Sequence, residues 1–235
     1  MSSIEQRHHD LLADLQATAT RFGRPLPRLL AVSKRQPAAA IATLRAAGQR
    51  AFGENYVQEA MAKQAELAGL EIEWHLIGHL QTNKAREAAR HFDWVQSVDR
   101  RRLVDALARE RSAELLPLNL LVQVNVDDEN SKSGCRIDEA GDLCNAISSH
   151  PNLALRGLMA IPAPHPDHAL RRAAFRRMRV LFDQLKVAHP AMDTLSLGMS
   201  EDADLAIEEG STMVRIGTAL FGQREQGPAA APRSP

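Results

Sequence analysis

An excess of charge of either sign is missing from this sequence, because its 29 acidic and 29 basic side chains cancel. With no net positive charge and no basic block, it offers nucleic acid little to hold. Long apolar runs are missing too. None approaches the roughly 20 residues that a membrane helix needs, and the opening MSSIEQRHHDLLADLQ is polar where a secretory signal would be apolar. These absences lead to the expectation of a cytoplasmic protein with neither membrane nor nucleic-acid partners. Cysteine is scarce: Cys135 and Cys144 are the only two. Their spacing fits neither CxxC nor a zinc site, so both read as ordinary thiols and no metal centre is expected. No GxGxxG follows the first strand candidate, which disfavours an open dinucleotide-binding sheet.

What is present is a regular alternation. The chain has 235 residues, enough for one large domain with a substantial core. After an opening helix over 3–22, short strand candidates follow one another: RLLAVS (28–33), RAFGE (50–54), EWHLIG (73–78), WVQSV (94–98), NLLVQVNV (119–126), LALRGLM (153–159), DTLSLG (193–198) and TMVRIG (212–217). Amphipathic segments such as PAAAIATLRAAG, NYVQEAMAKQAEL and ALRRAAFRRMRVLFDQLKVA lie between them. Eight such alternations close most simply as one (β/α)8 TIM barrel, which leaves no sheet edge. The expected organisation is a single barrel domain over 1–226 with an extra N-terminal helix, then a disordered, low-complexity tail over 227–235.

In a barrel of this kind the chemistry sits at the C-terminal ends of the strands. Leu30, Val32 and Lys34 share one face of the first strand by its two-residue period. If that face points inward, Lys34 caps the barrel axis. A lysine whose stem lies in an apolar mouth loses solvation, which lowers its pKa and frees its amine to attack a carbonyl, so Lys34 is a Schiff-base candidate. A lysine that merely ends a strand in solvent is the alternative. The loops after strands seven and eight are the usual phosphate site of the fold. Here Ser200 stands as an N-cap before an acidic first turn, Gly217 lets the backbone approach closely, and Thr218 offers a hydroxyl and an amide. Arg215 shares the face of Gly217 and must find a partner in the mouth, either a structural ion pair or an acceptor on a bound cofactor.

A lysine after strand one, a phosphate cradle after strands seven and eight and an arginine ending strand eight resemble the barrel of alanine racemase type pyridoxal phosphate proteins. The motifs LLAVSK, FGENYVQE, WHLIGHLQTNK, QVNVDDENSKSG, RGLMAIP and LSLGMSEDADLAIEEGSTMVRIGTALFG look like those of the pyridoxal phosphate homeostasis family, also called YggS/PROSC. The match runs from about residue 28 to about residue 224, and only the termini look individual.

The resemblance implies that Lys34 holds pyridoxal 5'-phosphate as an internal aldimine. It implies that Ser200, Gly217 and Thr218 bind the phosphate and that Arg215 approaches the pyridine nitrogen. Asn55 and Met159 match family positions lining the pocket near the ring. His79, Asn83 and Lys84 lie after strand three and could bind a second ligand or complete the pocket. An arginine beside the ring nitrogen stays cationic and disfavours its protonation, which weakens the ring as an electron sink. Racemases with this arrangement add a tyrosine from a further β domain, for which this chain has no room. Its single tyrosine is Tyr56, after strand two.

Two functions of different class follow. One is a non-catalytic carrier that maintains intracellular pyridoxal phosphate, acts as a monomer and makes transient contacts with enzymes that use the cofactor. The other is a slow amino-acid racemase using Lys34, alone or with Tyr56. A phosphosugar aldolase with Lys34 as imine lysine would use the same lysine and cradle, but the long motifs speak against it. DDENSKSG (127–134) lacks the glycine of a calcium loop and is not a P-loop, so it reads as a polar rim loop. HPDH (165–168) reads as a surface loop, and the arginine run after it as the solvated face of a helix.

Overall fold

The computed structural model describes residues 2–129 and 132–222. The expected tail over 227–235 and two positions of the DDENSKSG loop lie outside the described residues. An N-terminal helix, α1 (Ile4–Arg21), is capped by Ser3, whose hydroxyl accepts from the Gln6 amide at 3.2 Å. There follow β1 (Arg28–Val32), α2 (Ala38–Ala46), β2 (Ala51–Glu54), α3 (Val57–Glu66), β3 (Glu73–Leu76), α4 (Ala85–His91), β4 (Trp94–Val98) and α5 (Arg101–Glu110). The second half runs β5 (Leu118–Gln123), α6 (Ala140–Ser148), β6 (Leu153–Met159), α7 (His168–Ala188), β7 (Thr194–Ser196), α8 (Ala203–Glu208), β8 (Met213–Ile216) and α9 (Thr218–Phe221). Every pair of neighbouring strands is parallel, and β1 pairs with both β2 and β8, so the sheet closes into an eight-stranded barrel.

The two-residue period of the strands separates two interiors. Leu29 and Ala31 face outward into the large core between barrel and helices, with Phe52, Val95, Leu120 and Phe175. Leu30 faces inward and packs with Ala51 and Met213. Trp94, Leu121 and Met159 form a second apolar cluster. Buried polar side chains add to them: His75 and Gln96 are inaccessible to solvent, as is Ser196. α1 is strapped to the end of the barrel sequence, where the Arg7 guanidinium donates to the Leu220 carbonyl at 2.8 Å.

Expected and observed elements agree closely, and WVQSV and LALRGLM are strands residue for residue. The fifth strand is shorter than NLLVQVNV suggests. It ends at Gln123; the Val124 amide still donates to the Met159 carbonyl of β6 at 2.9 Å while Val124 bridges Cys135, and Asp128 then takes a left-handed turn at φ 53°.

Close approach of backbones requires glycine inside β6. Gly157 in β6 has φ 147°, and a Cβ there would sit 1.8 Å from the Thr194 carbonyl oxygen of β7. Gly157→Ala is therefore expected to lower the stability read by urea denaturation by more than about 1 kcal/mol. Gly141→Ala, in α6, meets only the Leu185 side chain at 3.6 Å and is expected to be neutral or to stabilise by about 0.5–1 kcal/mol.

Candidate functional site

The segment carrying Lys34 is held from both sides. Beyond the end of β1, the Ser33 amide still donates to the Gly53 carbonyl at 3.0 Å, so the strand phase continues for one more residue. The buried Ser33 hydroxyl donates to Glu54 Oε1 at 2.6 Å, and the Gln36 amide donates to the Ser33 carbonyl at 3.0 Å, closing a turn that contains Lys34. Lys63 of α3 reaches beneath this turn. Its ammonium donates to the Ser33 carbonyl at 2.8 Å and to Glu54 and Glu59, both at 2.7 Å. Arg35, the residue after Lys34, is left-handed at φ 61°, and its amide donates to the Glu59 carboxylate. Lys34 itself is half-buried. Burial raises the pKa of Glu54 against the pull of Lys63 and Ser33. Burial works the same way on Glu59, but hydrogen bonds from Lys63 and Arg35 bring it below its ordinary value.

On the strand beside β1, Arg215 is level with Leu30 and therefore points inward. Its guanidinium is buried and donates to the Ser196 carbonyl at 2.7 Å, the Ser196 hydroxyl at 2.8 Å and the Ala160 carbonyl at 2.9 Å. All three are neutral acceptors, so these bonds are not the structural ion pair that was one of the two expected arrangements. Burial pushes the Arg215 pKa down to about 10, with Asp202 opposing, and the group stays cationic at neutral pH.

Ser200, in the β7–α8 loop, and Thr218, the first residue of α9, are both exposed, and Gly217 is half-buried between β8 and α9. The expected capping role of Ser200 is corrected. α8 begins at Ala203, and Asp202 precedes it, because the Asp202 carboxylate accepts the Met199 amide at 2.7 Å and closes a turn in which Ser200 is a middle residue. Met159 is buried in the interior at the end of β6, and Asn55 is half-buried just after β2. Asn55 and Tyr56 line a cavity with His79 and Lys84; Asn83 is not among its lining residues. Tyr56 is 55% exposed. His79 Nδ1 lies 3.7 Å from an Asp99 carboxylate oxygen.

Motifs that were set aside take structural places. Burial pushes both cysteine thiols up to about 12, leaving them inert as thiols. In HPDH, the Asp167 carboxylate caps α7 by accepting the Ala169 amide at 2.7 Å. The arginine run is more than a solvated face: Arg172 reaches Glu208 at 2.8 Å, Arg176 reaches Glu209 at 2.9 Å and Arg177 reaches Asp127 at 3.0 Å, tying α7 to α8 and to the loop after β5. Among the described residues no group of three or more His, Cys, Asp or Glu side chains could hold a metal ion. Nor is any described helix long and apolar enough to cross a membrane.

The sequence reading missed the supports of the site. Lys63 and Glu59 were visible only as an ordinary helical pair four residues apart. His75 in EWHL and Gln96 in WVQSV carried a usable signal, since each is a polar side chain in the middle of a barrel strand, where only an internal partner satisfies it.

A closed parallel barrel with a lysine after its first strand and an arginine on its last agrees with the sequence comparisons, for residues 9–225 match the alanine racemase N-terminal domain. The chain is 51% identical over 229 residues to the pyridoxal phosphate homeostasis protein of Pseudomonas aeruginosa, covering 97% of this chain and 98% of that one. It is 53% identical over 230 residues to the protein of the same name from Escherichia coli, covering 96% and 98% respectively. The chain belongs to the pyridoxal phosphate homeostasis family. Among solved structures, PipY of Synechococcus elongatus, determined with pyridoxal phosphate bound, superimposes with a TM-score of 0.82 at 39% identity, covering 94% of this chain and all of PipY. Alanine racemase from Corynebacterium glutamicum shares the fold at 19% identity and a TM-score of 0.64, covering 95% of this chain and 63% of the racemase.

Lys63 and Glu54 are a buried pair in which each charge depends on the other. Lys63→Met strands the Glu54 carboxylate and is expected to cost about 3–5 kcal/mol in chemical denaturation. Adding Glu54→Gln is expected to restore most of that loss, and two losses that simply add would disprove the pairing.

Proposed function

We propose that this protein carries pyridoxal 5'-phosphate in the mouth of its barrel, linked to Lys34 as a Schiff base, and that it maintains the cellular level of the cofactor without substantial turnover of its own. The observation that carries the reading is the pairing of a lysine with an arginine on neighbouring parts of the barrel: the half-buried Lys34 just after β1, and the buried Arg215 on β8, whose hydrogen-bond partners among the described residues are all neutral. The donor set fits the cofactor, which is an anion with an aldehyde at one side of a pyridine ring. When bound it supplies that aldehyde, which condenses with a primary amine with loss of water.

Lys34 would provide the amine, and the clamp of Ser33, Glu54, Glu59 and Lys63 would keep its segment in one place. Ser200 in the β7–α8 loop, with Gly217 and Thr218 at the start of α9, would take the phosphate. Asn55 and Met159 would flank the ring. Arg215 would lie near the ring nitrogen and keep it unprotonated, since a guanidinium has hydrogens only to give. This withholds the electron withdrawal that most enzymes of this cofactor rely on. The names borne by the relatives and the cofactor in PipY support the same reading. Transient contacts with cofactor-dependent enzymes would complete the role of a carrier. Tyr56, the sole tyrosine, is more than half exposed on the rim, a poor setting for a second acid or base.

The purified protein is expected to show an absorption band with pyridoxal phosphate that borohydride bleaches, with the added mass on Lys34 and no such adduct in Lys34→Ala. A wild type that stays colourless after the cofactor is added overturns the reading. Racemisation of amino acids in a discontinuous assay, abolished by Lys34→Ala, would overturn the carrier role in favour of a slow racemase.

A further inference from the structure

One hydrogen-bond chain crosses the whole interior of the barrel and ends on Arg215. At the N-terminal floor, Arg28 donates to Glu73 Oε1 at 2.7 Å, and the same oxygen lies 2.6 Å from His75 Nε2. His75 Nδ1 is 2.9 Å from Gln96 Nε2, and Gln96 Oε1 accepts from the Ser196 hydroxyl at 2.8 Å. The Ser196 hydroxyl in turn accepts from Arg215 at 2.8 Å. We propose that Gln96 and His75 are positioning residues for Arg215: they hold the Ser196 hydroxyl as an acceptor and so set the guanidinium beside the ring nitrogen of the bound cofactor. The inference rests on the cofactor reading above.

The direction of every bond in the chain follows from its two ends. Although burial opposes it, His75 and Arg28 hold the Glu73 carboxyl down at about 2, so Glu73 is an acceptor only. His75 must therefore carry hydrogen on Nε2. Burial lowers the pKa of His75 in spite of Glu73, which keeps the ring neutral and makes Nδ1 an acceptor. That requires the Gln96 NH2 to face His75, where its nitrogen also lies 3.2 Å from Met213 Sδ, and the Gln96 oxygen to face Ser196. Ser196 gives its single hydrogen to that oxygen and presents a lone pair to Arg215, which can only donate. Stacking on Trp94, with ring centroids 5.0 Å apart and planes 12° from parallel, fixes the imidazole plane. No member can turn without leaving a neighbour unpaired in the interior, where that is costly.

A purely structural chain would move stability and nothing else. The test uses the full-length protein as wild type, Gln96→Leu, Ser196→Ala and the double variant. The pH titration of the absorption band is read after pyridoxal phosphate is added, and the His75 ring nitrogens are read by 15N NMR without it. In cofactor-free wild type the hydrogen is expected on Nε2; a proton on Nδ1 at neutral pH overturns the chain. With cofactor, each single variant is expected to shift the titration midpoint by about one pH unit, and the double variant to shift it no further. Variants that bind cofactor yet titrate as wild type overturn the positioning role. If Gln96→Leu fails to fold, Ser196→Ala alone decides, since it leaves the floor of the barrel intact. A wild type that acquires no band overturns the cofactor reading itself, and the NMR result still judges the chain.

Discussion

Closure of eight parallel strands imposes a condition that every inward side chain must meet. The interior of a barrel this size has no water to spare, so each position facing it is filled by apolar contact or by a polar group with a partner inside. Leu30, Ala51 and Met213 meet the condition by packing on one side, and Trp94, Leu121 and Met159 on the other. Glu73, His75, Gln96, Ser196 and Arg215 meet it by bonding to one another in series. A polar series of this length is harder to build than an apolar core, because each link fixes the orientation of the next. Its upper end is a guanidinium, which gives the series a reason to exist.

The two buried cations near the mouth are partnered in different ways. Lys63 lies among two carboxylates and a carbonyl, so its positive charge is offset within the cluster. Arg215 is hydrogen-bonded to carbonyls and a hydroxyl, which orient the group without cancelling its charge. Lys63 therefore stabilises the loop under Lys34, whereas Arg215 projects positive potential into the mouth. A low interior dielectric makes that potential felt by whatever anion or aromatic nitrogen comes to rest above it.

The fold was largely legible because strand period and helix period are local properties. Leu29 and Leu30 were placed on opposite faces from alternation alone, and they pack into separate clusters, Leu29 between barrel and helices and Leu30 inside the barrel. Where local signals misled, a tertiary contact had intervened. Ser200 has the chemistry of a cap, but the carboxylate two residues later captures the Met199 amide and moves the helix start. The arginines of α7 look solvated from their own helix and are paired once α8 lies alongside. The clamp around Lys34 joins β1, β2 and α3, and no spacing within one element reveals it.

Holding a cofactor and using it make different demands on the same barrel. Holding it needs an amine in a fixed place, donors for a phosphate and walls for a ring, all of which a single barrel provides at one end of its strands. Turnover through a carbanion needs in addition a ring that withdraws electrons and a second group to move a proton on the opposite face. In the proposed arrangement Arg215 would oppose the first, because ring protonation would place two positive charges side by side. The interior chain would make that opposition hard to relax, for the guanidinium is anchored on Ser196 and Ala160. In the proposed arrangement, the same bonds that satisfy the buried arginine would favour retention of the cofactor over its use in catalysis.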